Sequence, residues 1–181
     1  GLHKYMTFPV VFGHEVGASV AEVGANVKDY KVGDLVTVEP QVYCGECYPC
    51  QIGRFNVCEH LKVMGVHKDG MACEYFAVEP KYLHHCPDGM KDERMALVEP
   101  LAVGVGSVKR AGDVTGKNVV VVGAGTIGNL TAQAAKALGA ANVMITDVFD
   151  PKLELARKSG LDLAVNTSEL SLKQAIIDHF G

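Results

Sequence analysis

From residue 118 onward, short apolar runs alternate with stretches of helical length: "NVVVVG", "TIGNLTAQAAKALG", "NVMITD", "PKLELARKSG", "LAVN" and "SLKQAIIDHFG". Parallel neighbours in a sheet need a crossover between them, so strands alternating with helices predict a parallel sheet built from βαβ units. At the first strand–helix junction, "GAGTIG" places Gly123, Gly125 and Gly128 in the G-x-G-x-x-G spacing. The spacing alone is a weak signal, because glycine-rich strand-to-helix turns also occur without a ligand. Its position makes it specific: the first glycine permits a tight turn, the second lets a pyrophosphate approach the backbone, and the third lets helix and strand pack closely. Thr126 and Ile127 fall in the first turn of the helix, where the free N–H groups and the dipole favour an anion. Asp147 closes the next strand, where a carboxylate accepts hydrogen bonds from an adenosine ribose. Its charge opposes a 2′-phosphate, so NAD is expected over NADP. A complete dinucleotide fold has six strands in two halves. Here the chain stops after the third strand and its helix, which reads as truncation.

The first half has a different character. "FPVVFG", "ASVAEVG", "LVTVEP" and "CEYFAVEP" are short β-like segments punctuated by Gly, Pro and Asp, and they predict a mainly-β body with one long loop. After "CPDGM", the stretch "DERMALVEP" and then "PLAVGVGSVKRAG" predict a pair of helices joining two domains, with Pro100 in a first turn and Gly112 as the stop. The expected division is residues 1–104 and 105–181.

The long loop carries "CGECYPCQIGRFNVC", with Cys44, Cys47, Cys50 and Cys58 wrapped by Gly45, Pro49 and Gly53. Four thiolates without a neutral ligand suit a closed tetrahedral zinc site of structural type within a lobe at about residues 40–60. An iron–sulfur cluster and a pair of disulfides are the competing readings. Cys73 and Cys86 stand apart and are expected to be small buried residues. A metal that does chemistry must then sit elsewhere. The candidates are His14 and Glu15 of "GHE", at the end of an apolar run, and Glu99 of "VEPLAVG". A lone histidine is more often a core residue than a ligand, and an acidic residue at a helix start more often serves the dipole. The neighbouring cysteine loop and glycine loop favour the metal reading.

A formal net charge of −4 with scattered Lys and Arg offers no footprint for a phosphate backbone, so nucleic acid is not an expected partner. No start of leader type is visible, and no apolar run is long enough to cross a bilayer, so a cytoplasmic location without a membrane partner is expected.

Taken together, "GHE" with Gly24 following, the four-cysteine loop, "EPLAVG", and "GAGTIG" with Asp147 resemble the zinc-dependent medium-chain alcohol dehydrogenases, and most of all their sorbitol (polyol) dehydrogenase branch. The resemblance covers essentially the whole chain. It implies an α/β plus β architecture: a GroES-like, mainly-β catalytic domain followed by the first half of a Rossmann doubly wound sheet. It implies an oxidoreductase that passes hydride from a secondary alcohol of a small polyol to NAD, with catalytic and structural zinc, in a dimer or tetramer.

His14 would be a ligand of the catalytic zinc, with Glu15 a ligand or a carboxylate close beside it. Glu99 stands where classical alcohol dehydrogenases place a second cysteine, and would bind zinc directly or through a water molecule; this exchange is what points to polyols. The resemblance also implies a further cysteine ligand, in a "CGSD"-like segment about two dozen residues before the histidine. Residue 1 lies closer than that, and His3 is read as a solvated loop residue. Ala18 stands where the pattern has glycine, with Gly17 one place early. Oxidation of L-threonine, a sugar acid or a sugar phosphate is the alternative within the class. A zinc- and NAD-binding fragment without catalysis is the alternative outside it.

Overall fold

The structure is a computed structural model that describes residues 6 and 8–181; His3 lies outside them. The chain divides into two compact units, Gly1–Glu99 and Pro100–Gly181.

In the first unit, β1 (Ala18–Ser19), β2 (Leu35–Val38) and β5 (Leu83–His85) form an antiparallel sheet in the order β1-β2-β5. A second antiparallel pair joins β3 (Gln41–Val42) to β4 (Lys62–Val63). Val38, Met64, Met71 and Tyr82 form the core beneath them, packed by Val16, Val42, Tyr43 and Phe76. Thr37 is buried in the middle of β2, and its hydroxyl donates to the Val16 carbonyl at 2.9 Å, which satisfies the polar group.

The strands are shorter than the apolar pattern predicts. "LVTV" is β2, but "FPVVFG" and "CEYFAVEP" contain no strand, and "ASVAEVG" keeps only the two residues of β1. Gly13 has φ +89°, outside the β region, so it breaks the ladder that residues 11–13 begin with residues 70–72. That short pairing survives as Gly70 N–H to Val11 O, Ala72 N–H to Phe12 O and Met71 N–H to Gly13 O, all at 2.8–2.9 Å.

Between β3 and β4 the cysteine loop contains α1 (Tyr48–Gln51), opened by Pro49, and the short 3₁₀ turn Phe55–Val57. Two further helices follow, α2 (Asp92–Ala96) and α3 (Val98–Ala111). Gly112, at φ +97°, supplies the left-handed conformation that ends α3. Gly17 packs so closely on α2 that a Cβ there would lie 2.6 Å from Asp92 O and from Met95 Cβ.

The second unit follows the periodicity closely. β6 (Asn118–Val122), α4 (Thr126–Ala137), β7 (Asn142–Asp147), α5 (Asp150–Lys158), β8 (Leu163–Asn166) and α6 (Leu172–Phe180) come in chain order. The strands form a parallel sheet in the order β6-β7-β8. Ile145, Leu153, Leu161, Ala132, Ala135 and Ala156 are essentially sealed from solvent in its core. Small residues let the helices sit close: a Cβ on Gly104 of α3 would lie 2.9 Å from the Thr131 nitrogen of α4.

Candidate functional site

Three constellations carry chemistry, two in the first unit and one in the second.

The four cysteine sulfurs of the loop converge on one point. Their Sγ···Sγ separations are 3.5 Å (Cys47–Cys50), 3.6 Å (Cys44–Cys58), 3.8 Å (Cys47–Cys58) and 4.0 Å (Cys44–Cys50). A tetrahedron with zinc–sulfur bonds of about 2.3 Å has edges of about 3.8 Å, so the spacing fits a zinc ion. It excludes disulfide bonds, which need about 2.05 Å, and all four cysteines are free. Backbone N–H groups turn toward the sulfurs: Glu46 and Cys47 donate to Cys44 Sγ at 3.4 Å, and Cys44 and His60 donate to Cys58 Sγ at 3.4 and 3.3 Å. The N–H groups of Glu46 and Cys47 hold the Cys44 thiol down to about 6, whereas burial pushes Cys50 up to about 12. Four thiolates can share this space only around a cation.

The second cluster joins His14, Glu15 and Glu99, each offering one ligand atom, all within 4.8 Å of one another. Local packing sets the histidine. Gly65 and Gly70 lie against the Gly13 peptide so tightly that a Cβ on Gly70 would fall 2.2 Å from Gly13 O, and one on Gly65 2.6 Å from the same oxygen. His14 follows that pinned peptide directly. Glu99 sits in the first turn of α3, before the buried Pro100. Burial raises the Glu99 carboxyl above the ordinary carboxylate range; His14 opposes the shift and Glu15 adds to it. One imidazole and two carboxylates form a donor set that fits a divalent ion such as zinc, and three protein ligands leave coordination positions for something else.

The third is the glycine loop, whose three glycines differ in conformation and surroundings. Gly123 has φ +99°. A Cβ on Gly125 would meet no atom within 4 Å, so the backbone face is open to an approaching group. A Cβ on Gly128 would fall 1.8 Å from Gly123 O, so α4 can rest on β6 only with glycine there. Thr126 and Ile127 form the first turn of α4, whose N-cap, Gly125, offers no side-chain acceptor to the free amides. Asp147 ends β7 beside the loop. Its Oδ2 accepts from Ala124 N–H at 2.8 Å, and its Oδ1 from Val148 and Phe149 N–H at 2.9 and 3.1 Å. The Ala124 N–H leads in holding this carboxyl below the usual range, with Val148, Lys152 and Phe149 contributing.

Sequence reasoning missed two features. Lys152 places its ammonium 3.6 Å from Asp147 Oδ2; its place in the first turn of the helix after Asp147 was the available signal. The packing of Gly65 and Gly70 on Gly13 links distant segments and had no local signature. Cys73 is exposed rather than buried, because its segment pairs only briefly with residues 11–13, and its thiol donates to Tyr75 O at 3.3 Å. Cys86 is half-buried, and burial pushes its thiol up. Among the described residues, no helix is long and apolar enough to cross a membrane.

Comparison with known proteins agrees with this layout. Residues 1–88 match the family described as alcohol dehydrogenase GroES-like domain, and residues 126–181 match zinc-binding dehydrogenase. An L-threonine 3-dehydrogenase of Pyrococcus horikoshii is 38% identical over 170 residues, which are 94% of this chain and 49% of the relative. Among solved structures, galactitol-1-phosphate dehydrogenase from Escherichia coli superposes with a TM-score of 0.87 at 36% identity, over 94% of this chain and 49% of that one. A zinc-binding dehydrogenase from Sinorhizobium meliloti 1021 bound to NADP gives 0.87 at 35%, over 92% and 49%. The rspB alcohol dehydrogenase of E. coli CFT073 complexed with NADH gives 0.82 at 38%, over 92% and 50%. The chain therefore spans about half the length of the relatives it matches.

Proposed function

Because the chain belongs to the zinc-type medium-chain alcohol dehydrogenase family, we propose that it serves an oxidoreductase that transfers hydride from a secondary alcohol of a polyol to NAD. The observation that carries the reading is the meeting of His14, Glu15 and Glu99 at one point, apart from the sulfur cluster that accounts for a structural zinc.

In this reading zinc would be held twice. Cys44, Cys47, Cys50 and Cys58 would hold one ion and fix the shape of their loop. His14, with Glu15 and Glu99, would hold the other, which when bound supplies a Lewis acid for the substrate hydroxyl, while NAD supplies the hydride acceptor. The chain's own residues do the rest. The Gly13 peptide, wedged by Gly65 and Gly70, fixes the position of His14 before any ligand arrives. Glu99 adds a second carboxylate to the ligand set, which lowers its net positive charge and tolerates a second hydroxyl, as a vicinal diol presents. In the second unit, Gly125 gives a pyrophosphate room, the first-turn amides of α4 meet its charge, and Asp147 accepts from the ribose. Its negative charge favours NAD over a 2′-phosphorylated cofactor.

The experiment is a panel of polyols, L-threonine and sugar phosphates, read by NADH formation, with Glu99→Ala as the variant. Loss of polyol turnover with NAD binding retained supports the reading; unchanged turnover removes it. Oxidation of L-threonine is the second reading, favoured by the 38%-identical relative of that name, and a preference for threonine in the same panel selects it.

A further inference from the structure

We propose that Asp147 clamps the nucleotide loop, a task separate from meeting a ribose: its carboxylate holds the turn at residues 123–125 against the end of β7. The clamp stands on geometry; its consequence for binding rests on the cofactor reading above.

Ala124 is only 2% exposed, so its N–H has no access to solvent, and its acceptor is Asp147 Oδ2 at 2.8 Å. A buried N–H without an acceptor is costly, so the carboxylate is a structural requirement of this turn. Beside it, Gly123 N–H donates to Thr146 O at 2.7 Å. The β6–β7 register ends at Val122↔Thr146. The two bonds therefore carry the pairing one step past the strands, with a side-chain oxygen taking over where the loop has left the ladder. The other oxygen, Oδ1, is engaged by Val148 and Phe149 N–H. Both oxygens must accept, which an amide cannot do. The arrangement also turns the Ala124 N–H toward β7, and leaves an incoming pyrophosphate to the uncapped first turn of α4. A residue that only met the ribose would leave the ligand-free loop indifferent to its loss.

The test uses the full chain without nucleotide, carrying Asp147→Asn. Amide exchange at Ala124 should quicken by about tenfold to a hundredfold, the worth of a charge-assisted hydrogen bond, while Ile145 in the core of β7 keeps its protection. Lys152→Ala, which removes only the ion pair, should leave Ala124 unchanged. Unaltered Ala124 protection in Asp147→Asn overturns the proposal. Should that variant lose protection at Ile145 as well, the unsubstituted chain decides: the Ala124 amide shift should titrate with a midpoint below about pH 4, and a flat response overturns the clamp. Binding supplies the readout that a ribose contact alone would not move. Asp147→Asn should weaken ADP about tenfold more than adenosine, because only ADP uses the loop; equal losses contradict the clamp. If the unsubstituted chain binds neither compound, the cofactor reading fails, and the ligand-free exchange result still decides the clamp.

Discussion

Replacing Cys47 by serine should weaken the metal's hold on the cysteine lobe, so that the lobe opens at zinc concentrations that keep the unsubstituted one closed, and leave the rest of its unit folded. Between residues 41 and 61, only Cys50 and Cys58 are buried, while Tyr48, Ile52, Phe55 and Val57 all stay exposed. Burying two small side chains is worth about 3 kcal/mol at most. A structural zinc ion is worth about 10–16 kcal/mol, so the metal takes the place of a core. Cys47 Sγ stands 3.5 Å from Cys50 Sγ and 3.8 Å from Cys58 Sγ, in the middle of the cluster. As one of four equal ligands its share is roughly 3 kcal/mol, which lowers zinc affinity about a hundredfold. The lobe is tied to the sheet by the Tyr43–Phe55 stack, with ring centroids 4.3 Å apart, and loosening it frees the exposed Arg54 next to Phe55. The assay is trypsin cleavage at Arg54, followed beside zinc content. Cys47→Ser, or a chelator on the unsubstituted chain, should open Arg54 to rapid cleavage as zinc is lost. Zinc lost with Arg54 still protected would refute the argument that the metal holds the lobe.

The two later glycines of the loop should separate stability from binding. Gly128→Ala would push a Cβ to 1.8 Å from Gly123 O; relieving it moves α4 by about 1.5 Å and costs on the order of 3 kcal/mol, which calorimetry reads as a midpoint lowered by roughly 10 °C or more. Gly125→Ala meets no atom within 4 Å, so its midpoint should hold while NADH binding, followed by fluorescence, weakens at least tenfold. Asp147 sets a pH dependence: because its carboxyl is depressed in the folded chain, its stabilisation is present above the unfolded value of about 3.9 and is lost as pH falls through the lower folded value. Thermal midpoints below pH 5 should therefore fall less steeply in Asp147→Asn than in the unsubstituted chain. His14→Ala should reduce zinc binding by one site while Arg54 stays protected from trypsin, because the sulfur cluster does not depend on it.

Much of this was legible in the sequence wherever the physics is local. The alternation after residue 118 became strands and helices close to the quoted segments, because each apolar stripe needs only its neighbouring element for burial. The four cysteines lie within one loop, so their spacing alone brought them to a common point. The first half was harder to read. Its apolar segments have the composition of strands, but the left-handed Gly13 interrupts the pairing, and β3 and β4 are two-residue strands whose pairing depends on the loop they enclose. Glu99 reaches His14 only through the fold: its place before Pro100 marks it as an acidic candidate, but only the resemblance pairs it with His14. The packing of Gly70 on Gly13 needs a glycine, and the bond from Ala124 needs the Asp147 carboxylate, but in each the partner is a backbone atom that every residue possesses, so the sequence marks only one side of either contact.

In the proposed function the chain would separate its metals, one sealed by four sulfurs and one held by His14 with Glu15 and Glu99. Anomalous diffraction at the zinc edge, from crystals grown with excess zinc, tests it directly. Two peaks are predicted, one among Cys44, Cys47, Cys50 and Cys58 and one beside His14; a single peak among the cysteines, with no metal beside His14, would contradict it.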